Sequence, residues 1–198
     1  MKIAIIQGHP DSRGGHFCNA LAAAYADAAN SAGHELRLID VARQPFDLLR
    51  SKEDFEDAAA PLSLKEAQEA IAWAEHLVIV YPLWLGSMPA IMKGFFEQVF
   101  RPGFAFGQPG GEAGEMSGGR WKKRLKGRSA RIVVTMGMPA FVYRWYFGAH
   151  GLKSLERNIL KFVGIRPVRV SLIGMVEQSD SRRRAWLERM RRLGMQAR

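Results

Sequence analysis

Leu77-Val78-Ile79-Val80-Tyr81-Pro82-Leu83-Trp84-Leu85-Gly86-Ser87-Met88-Pro89 is the stretch on which the fold turns. The unbroken apolar run Leu77–Tyr81 predicts a strand buried on both faces, since a half-solvated strand alternates. Pro82 closes that strand because it has no N–H for the ladder. Pro89 reads as the first turn of a helix, where a missing N–H costs nothing. From there to about Phe100, Ile91, Met92, Phe95, Phe96 and Val99 recur with helical spacing and predict the packed side. Strand, short loop and helix together make half of a βαβ unit.

The same grammar continues in both directions. Upstream, Lys2–Gln7 reads as an Ile-rich buried strand and His9–Gly15 as a turn. Phe17–Ser31 reads as an Ala-rich helix that Gly33 ends. Glu35–Asp40 predicts a second short strand with apolar alternation at Leu36, Leu38 and Val41, Arg43–Pro61 a mixed loop with short helical turns, and Leu62–Ala74 a helix. Downstream, Arg101–Lys126 reads as a long glycine- and charge-rich connection. Ser129–Met136 predicts the fourth strand, Gly151–Val163 a helix, Pro167–Gly174 the fifth strand, and Ser179–Leu193 a closing helix capped by Ser179. Five buried strands alternating with helices predict one domain over 1–198, with a doubly wound parallel sheet. Right-handed crossovers then place Gln7–His16, Tyr81–Met88 and Thr135–His150 on one edge.

Composition narrows the function classes. Hydrophobic residues make up 47% of the 198 residues, an ordinary globular share. No apolar run approaches the roughly 18 residues that span a bilayer. Met1–Ile6 lacks the pattern of a signal peptide, so cytoplasmic residence is expected. Cys18 is the only cysteine, which excludes an internal disulfide. No clustered histidines point to a metal. The formal charge is +10, with seven basic residues in Arg120–Arg131 and seven in Arg182–Arg198. No zinc-finger or aromatic RNA-binding motif accompanies them, so nucleic acid is not the expected partner. Small anions such as dinucleotides suit the charge.

Each of the three loops has its own chemistry. In the first, Gly14 and Gly15 permit an amide nest ahead of a helix N-terminus, a site for phosphate, with His9 as a further donor. It is neither a G-x-G-x-x-G fingerprint nor a Walker loop. An ordinary βα turn reads equally well. The second loop, Pro82 to Pro89, is apolar and suits the edge of a flat ring or packing beneath a neighbouring loop. In the third, Phe141, Tyr143, Trp145, Tyr146 and Phe147 are too dense for a solvated loop, and Tyr143 and His150 are candidate donors to a substrate oxygen. No Gly-x-Ser-x-Gly elbow or His-Glu-x-x-His appears.

The segment Tyr81-Pro82-Leu83-Trp84-Leu85-Gly86-Ser87-Met88-Pro89-Ala90-Ile91-Met92-Lys93-Gly94-Phe95-Phe96-Glu97-Gln98-Val99-Phe100, then Gly103-Phe104-Ala105-Phe106, resembles the NAD(P)H:quinone oxidoreductase family of flavodoxin-like flavoproteins. The likeness extends to His9-Pro10 after the first strand, Thr135-x-Gly137, Tyr143 and His150-Gly151. It implies a flavodoxin-like three-layer α/β/α sandwich with a five-stranded parallel sheet in the order 2-1-3-4-5. His9, His16, Phe17 and Cys18 match positions that hold the flavin phosphate. Pro82, Leu83, Trp84 and Leu85 match the loop along the ring, and Thr135, Met136 and Gly137 the other ring-edge loop. Tyr143 and His150 match the pair over the ring, as the catalytic residues. His16 and Cys18 depart from the Ser/Thr and Asn common there, and Leu85 from tryptophan.

The resemblance implies two-electron transfer from NADH or NADPH to a quinone or similar acceptor, by ping-pong turnover at one pocket. Lack of the longer mammalian C-terminal extension implies FMN ahead of FAD. A homodimer is implied, with Phe104, Phe106 and Trp145–Phe147 as interface material. Two alternatives accompany this reading. One is a flavodoxin-type electron carrier, which the basic charge suits poorly. The other is a soluble regulatory subunit of a potassium efflux system, in peripheral contact with a membrane protein.

Overall fold

The computed structural model describes residues 1–56, 60–107 and 122–198. The glycine-rich stretch 110–119 and part of the first basic cluster lie outside them.

Five strands form one parallel sheet: β1 (Lys2–Gln7), β2 (Glu35–Asp40), β3 (His76–Pro82), β4 (Ser129–Thr135) and β5 (Val168–Ile173), in the order β2-β1-β3-β4-β5. The continuous apolar runs are explained by burial on both sides. In β1, Ala4 and Ile6 join one core while Ile3 and Ile5 join the other. In β3, Leu77, Ile79 and Tyr81 face the first core, Val78 and Val80 the second. Each fully buried Ile, Leu or Val side chain contributes about 1.5–3 kcal/mol.

α1 (Phe17–Ser31) and α7 (Asp180–Met195) cover one face. α3 (Lys65–Trp73), α4 (Ala90–Val99) and the segment from α5 (His150–Lys153) to α6 (Lys161–Val163) cover the other; a short α2 (Lys52–Glu56) lies between β2 and α3. The layered architecture and strand order match the sequence reading. Several local details differ. Leu38 is 68% exposed and Ile39 is buried; β2 is the edge strand, with Leu36 packed against one core and Ile39 in the other. The 62–74 helix opens with a tight turn at Leu62–Leu64, and Pro89 stands just before α4 as its N-cap. Ser154–Leu160 and Val142–Tyr146 wind as wide π turns, a form often found at functional sites. Ser179 does cap α7, accepting the Arg182 N–H at 3.5 Å.

Candidate functional site

Three strand ends converge as expected. The loops after β1, β3 and β4 wall a cleft of about 470 Å³. His9, His16, Phe17 and Cys18 line it from the first loop, Pro82, Leu83 and Trp84 from the second, and Thr135, Met136 and Gly137 from the third. Parallel strands force this, since every one of them ends on the same edge.

The first wall is built for an anion. Gly14 and Gly15 both take positive φ, 77° and 80°, so the chain turns sharply into α1. The ladder of α1 begins with the Asn19 and Ala20 amides, both on the His16 carbonyl. The Phe17 and Cys18 amides precede it and stand at the positive end of the helix dipole. The His9 and His16 rings stack with centroids 3.7 Å apart and planes 12° apart. Asp11 organises both: its N–H donates to His9 Nδ1 at 3.1 Å, and its carboxylate lies 3.0 Å from His16 Nε2. Hydrogen bonds from Arg13 hold the Asp11 carboxyl far below its ordinary range. Burial, then the neighbouring His16, pushes His9 down. With Nδ1 accepting, His9 carries its proton on Nε2.

Cys18 is not a reactive thiol here. It is buried, its sulfur lies 3.1 Å from Thr135 Oγ1, and burial pushes it up to about 11. Thr135 and Cys18 thus tie the end of β4 to the start of α1.

The second and third walls stand side by side, since β3 and β4 are neighbours in the sheet. Leu83 N–H donates to the Thr135 carbonyl at 2.8 Å, which joins the two loops directly. Trp84 and Ser87 exchange backbone hydrogen bonds at 2.9 and 3.0 Å around a tight turn. Leu85 sits at the tip with φ 46° and a fully exposed side chain, so it does not wall the cleft as the sequence reading placed it. The Met136 N–H is spent on the Ile173 carbonyl at 2.9 Å, which removes one of the amides expected to face a ring. A Cβ at Gly137 would meet no atom within 4 Å, so that backbone borders open space.

Tyr143 and His150 are not a pair of free donors in this arrangement. Tyr143 is 1% exposed; its hydroxyl donates to the Gly86 carbonyl at 3.2 Å and accepts the Leu152 N–H at 3.1 Å. The phenol therefore braces the Trp84–Ser87 turn against α5. His150 is exposed, and its ring lies over Gly148, where an added Cβ would be 2.6 Å from Nε2. Neither lines the cleft. Phe141, Trp145, Tyr146 and Phe147 are exposed around them. Phe106, expected as interface material, is instead buried, with its ring 5.2 Å from that of Phe162; Phe104 packs on the same core.

Three lining residues escaped the sequence reading: Val176, Glu177 and Arg183, from the segment that joins β5 to α7 and the first turn of α7. The signal was the basic run Arg182–Arg184, which reads as a solvated tail until the fold swings it to the carboxyl edge. Arg183 also lines an adjoining groove of about 330 Å³ with Gly15, His16, Phe17 and Arg184. A separate apolar groove of about 380 Å³, lined by Phe55, Phe96, Phe100, Phe106 and Phe162, shares no residue with the cleft.

The residues present suit a flat ring with a phosphate tail. The lining combines amides, the His9 and His16 imidazoles and Arg183 with apolar Leu83, Trp84 and Met136, the Trp84 ring standing edge-on to His9 with centroids 6.4 Å apart, and the backbone of Gly137 leaves room beside them. Among the described residues, no helix is long and apolar enough to cross a membrane.

A family model described as flavodoxin-like fold matches residues 1–193. The chain is 27% identical over 184 residues to a ribosyldihydronicotinamide dehydrogenase-like protein of Penicillium crustosum, a match covering 81% of this chain and 65% of that protein. The chain thus spans slightly less than two thirds of that relative's length. It is 26% identical over 193 residues to an NAD(P)H oxidoreductase of Haemophilus influenzae, covering 95% and 91% of the two chains. The NAD(P)H:quinone oxidoreductase from Methanothermobacter marburgensis superposes with a TM-score of 0.78 at 24% identity, over 98% of this chain and 96% of that one, and shares its fold.

Proposed function

The chain belongs to the flavodoxin-like family and is related to its NAD(P)H:quinone oxidoreductases, and from that premise we propose that it is a flavin-dependent oxidoreductase that moves two electrons from NADH or NADPH to a quinone or similar acceptor. The observation that carries the reading is the convergence of His9, Trp84 and Gly137 on one cleft with an anion-binding end. A flavin held by these residues would supply the chemistry for two-electron transfer between the nicotinamide and the acceptor, with a ping-pong order as the proposed sequence.

The protein's part is placement. The Phe17 and Cys18 amides and His9 Nε2–H would hold the phosphate, with Arg183 neutralising it. Pro82, Leu83 and Trp84 would lie along one ring edge, and the Gly137 amide would serve the other as a preorganised donor. His150, at the exposed rim, is the group we propose as proton donor to the reduced acceptor. Tyr143 would act there only by giving up its bond to Gly86, so we propose that its main part is to hold the Trp84 turn in place. The exposed Trp145–Phe147 rings are proposed as the contact of a homodimer.

FMN is the flavin we propose for this arrangement. The groove beyond Gly15 with Arg183 and Arg184 favours a second reading, FAD, whose further phosphate and adenylate would lie there. Denaturing the purified protein and weighing the released cofactor decides between them. A yellow protein bleached by NADH or NADPH and recoloured by a quinone is the expected result. A colourless protein that takes up neither FMN nor FAD overturns the proposal.

A further inference from the structure

Four arginines gather away from the cleft, and the redox reading uses none of them. Arg131 and Arg169 are register partners on β4 and β5, on the face that α1 and α7 cover, in line with Val133 and Ile173. Arg131 stands four residues before Thr135, roughly 13 Å down the strand from the cleft. It is buried. Its Nε donates to the Arg198 carbonyl at 2.6 Å and its Nη1 to Ser171 Oγ at 2.9 Å, while no bond among the described residues engages Nη2. Arg189 comes from the second half of α7, with its guanidinium 4.8 Å from the centre of the Trp186 ring. Arg169 is half-buried, and Arg189 and Arg198 are exposed.

Among the described residues, none of these four guanidinium groups forms an ion pair with a carboxylate side chain. A terminal carboxylate on Arg198 would offset one of the four charges and leave three. Burial holds Arg131 below the ordinary guanidinium range; the Tyr25 phenol offsets part of this, and the charges of Arg169, Arg189 and Arg198 add to it. Arg131 keeps its charge all the same, and a buried charge short of counter-charge is costly. Two polar atoms on the same face are also unanswered. The Tyr25 hydroxyl and His76 Nε2 are buried with no hydrogen-bond partner among the described residues, and the Arg131 charge acts on both. Excess positive charge, a spare guanidinium nitrogen and unsatisfied neighbours together describe a place for an anion.

We propose that Arg131, Arg169, Arg189 and Arg198 form a binding site for a phosphate group, separate from the cleft, at which the anion bridges β4 and β5 to the end of α7. Guanidinium groups present paired, parallel N–H donors, which match an oxoanion better than a halide. Inorganic phosphate and the phosphate of a small metabolite offer that same chemistry. The inference stands apart from the flavin reading, since none of the four residues lines the cleft.

The test is calorimetric titration of the full chain, saturated with whichever flavin it binds so that the phosphate end of the cleft is occupied. The probes are inorganic phosphate and glycerol phosphate, at an ionic strength held constant with sodium chloride. Phosphate also stabilises proteins by exclusion from their surface, so the readout is a saturable isotherm rather than a melting temperature alone. We expect the wild type to bind phosphate with a Kd of about 1 mM or tighter. Arg169→Gln with Arg189→Gln, both at positions outside the buried core, should weaken it about tenfold or more. Arg50→Gln with Lys65→Gln removes the same charge from exposed positions elsewhere and should change it less than about twofold. Tighter binding of glycerol phosphate would support the site with a phosphorylated metabolite as its ligand, and tighter binding of inorganic phosphate would support it with the free ion. Absence of saturable binding of either probe by the wild type up to about 10 mM, or equal weakening in the two double variants, overturns the proposal and leaves the flavin reading intact.

Discussion

A methyl group on Gly151 would lie 2.3 Å from the Gly86 carbonyl oxygen and 2.7 Å from Ser87 Cα. The Trp84 turn and α5 touch because that position has no side chain. Gly151→Ala is therefore expected to cost about 1–3 kcal/mol and to weaken flavin retention, measured by thermal denaturation and by flavin fluorescence. A variant with wild-type Tm would show that the two segments part without penalty. His76 gives a second test. It is fully buried, its Nδ1 lies 2.7 Å from Ser129 Oγ, and burial, followed by the charges of Arg131 and Arg169, pushes it down to about 4. The unfolded chain accepts that proton near pH 6.5, and the native state refuses it. Stability is thus full above about 6.5 and lost as pH falls towards 4, by up to about 3 kcal/mol. His76→Gln should flatten that slope in denaturant titrations at several pH values. At this scale the sequence revealed residue type, such as glycines before a helix and histidines at a strand end. It did not show that Tyr143 spends its hydroxyl on Gly86, because such bonds depend on loops 57 residues apart meeting in space.

Among the elements, α7 carries the most that the sequence hid. Its first turn brings Arg183 to the cleft, and its last turn crosses α1 closely enough that a Cβ at Gly194 would lie 2.3 Å from the Tyr25 carbonyl oxygen. The crossing needs that glycine. Gly194→Ala is expected to unseat the helix at a cost of about 1–3 kcal/mol, and with it to weaken flavin binding although residue 194 is remote from the cleft. Tm and FMN affinity measured together check this; loss of stability with unchanged affinity would show that Arg183 plays no part in holding the cofactor. The strands and α1 were legible almost to the residue, since buried parallel strands are continuous and apolar and helices have caps. The π turns at 142–146 and 154–160 were not. Their hydrogen bonds differ from those of an α-helix by one residue, and that slip leaves the apolar spacing nearly unchanged.

Over the whole molecule the formal charge of +10 acts as a long-range field. It raises the concentration of an anionic dinucleotide near the surface, and salt screens it over about 10 Å at 0.1 M. If the proposed activity holds, KM for NADH should rise about three- to tenfold between low salt and 0.5 M, while kcat stays nearly constant. Steady-state kinetics across ionic strength measures this. An unchanged KM would show that the charge serves some purpose other than drawing in the nicotinamide.

The sequence by itself determined the layered parallel sheet and the edge at which the three loops gather, because apolar periodicity and chain handedness are local or nearly local properties; its strand order came from the likeness to the flavodoxin-like flavoproteins. Only the tertiary structure decided which of the gathered residues face the cleft. It turned Leu85 out to solvent and buried Tyr143. It paired Cys18 with Thr135, stacked His16 on His9 and added Arg183 from the far end of the chain. Those outcomes depend on backbone angles at single residues and on hydrogen bonds between segments distant in sequence, and no spacing pattern along the chain records them.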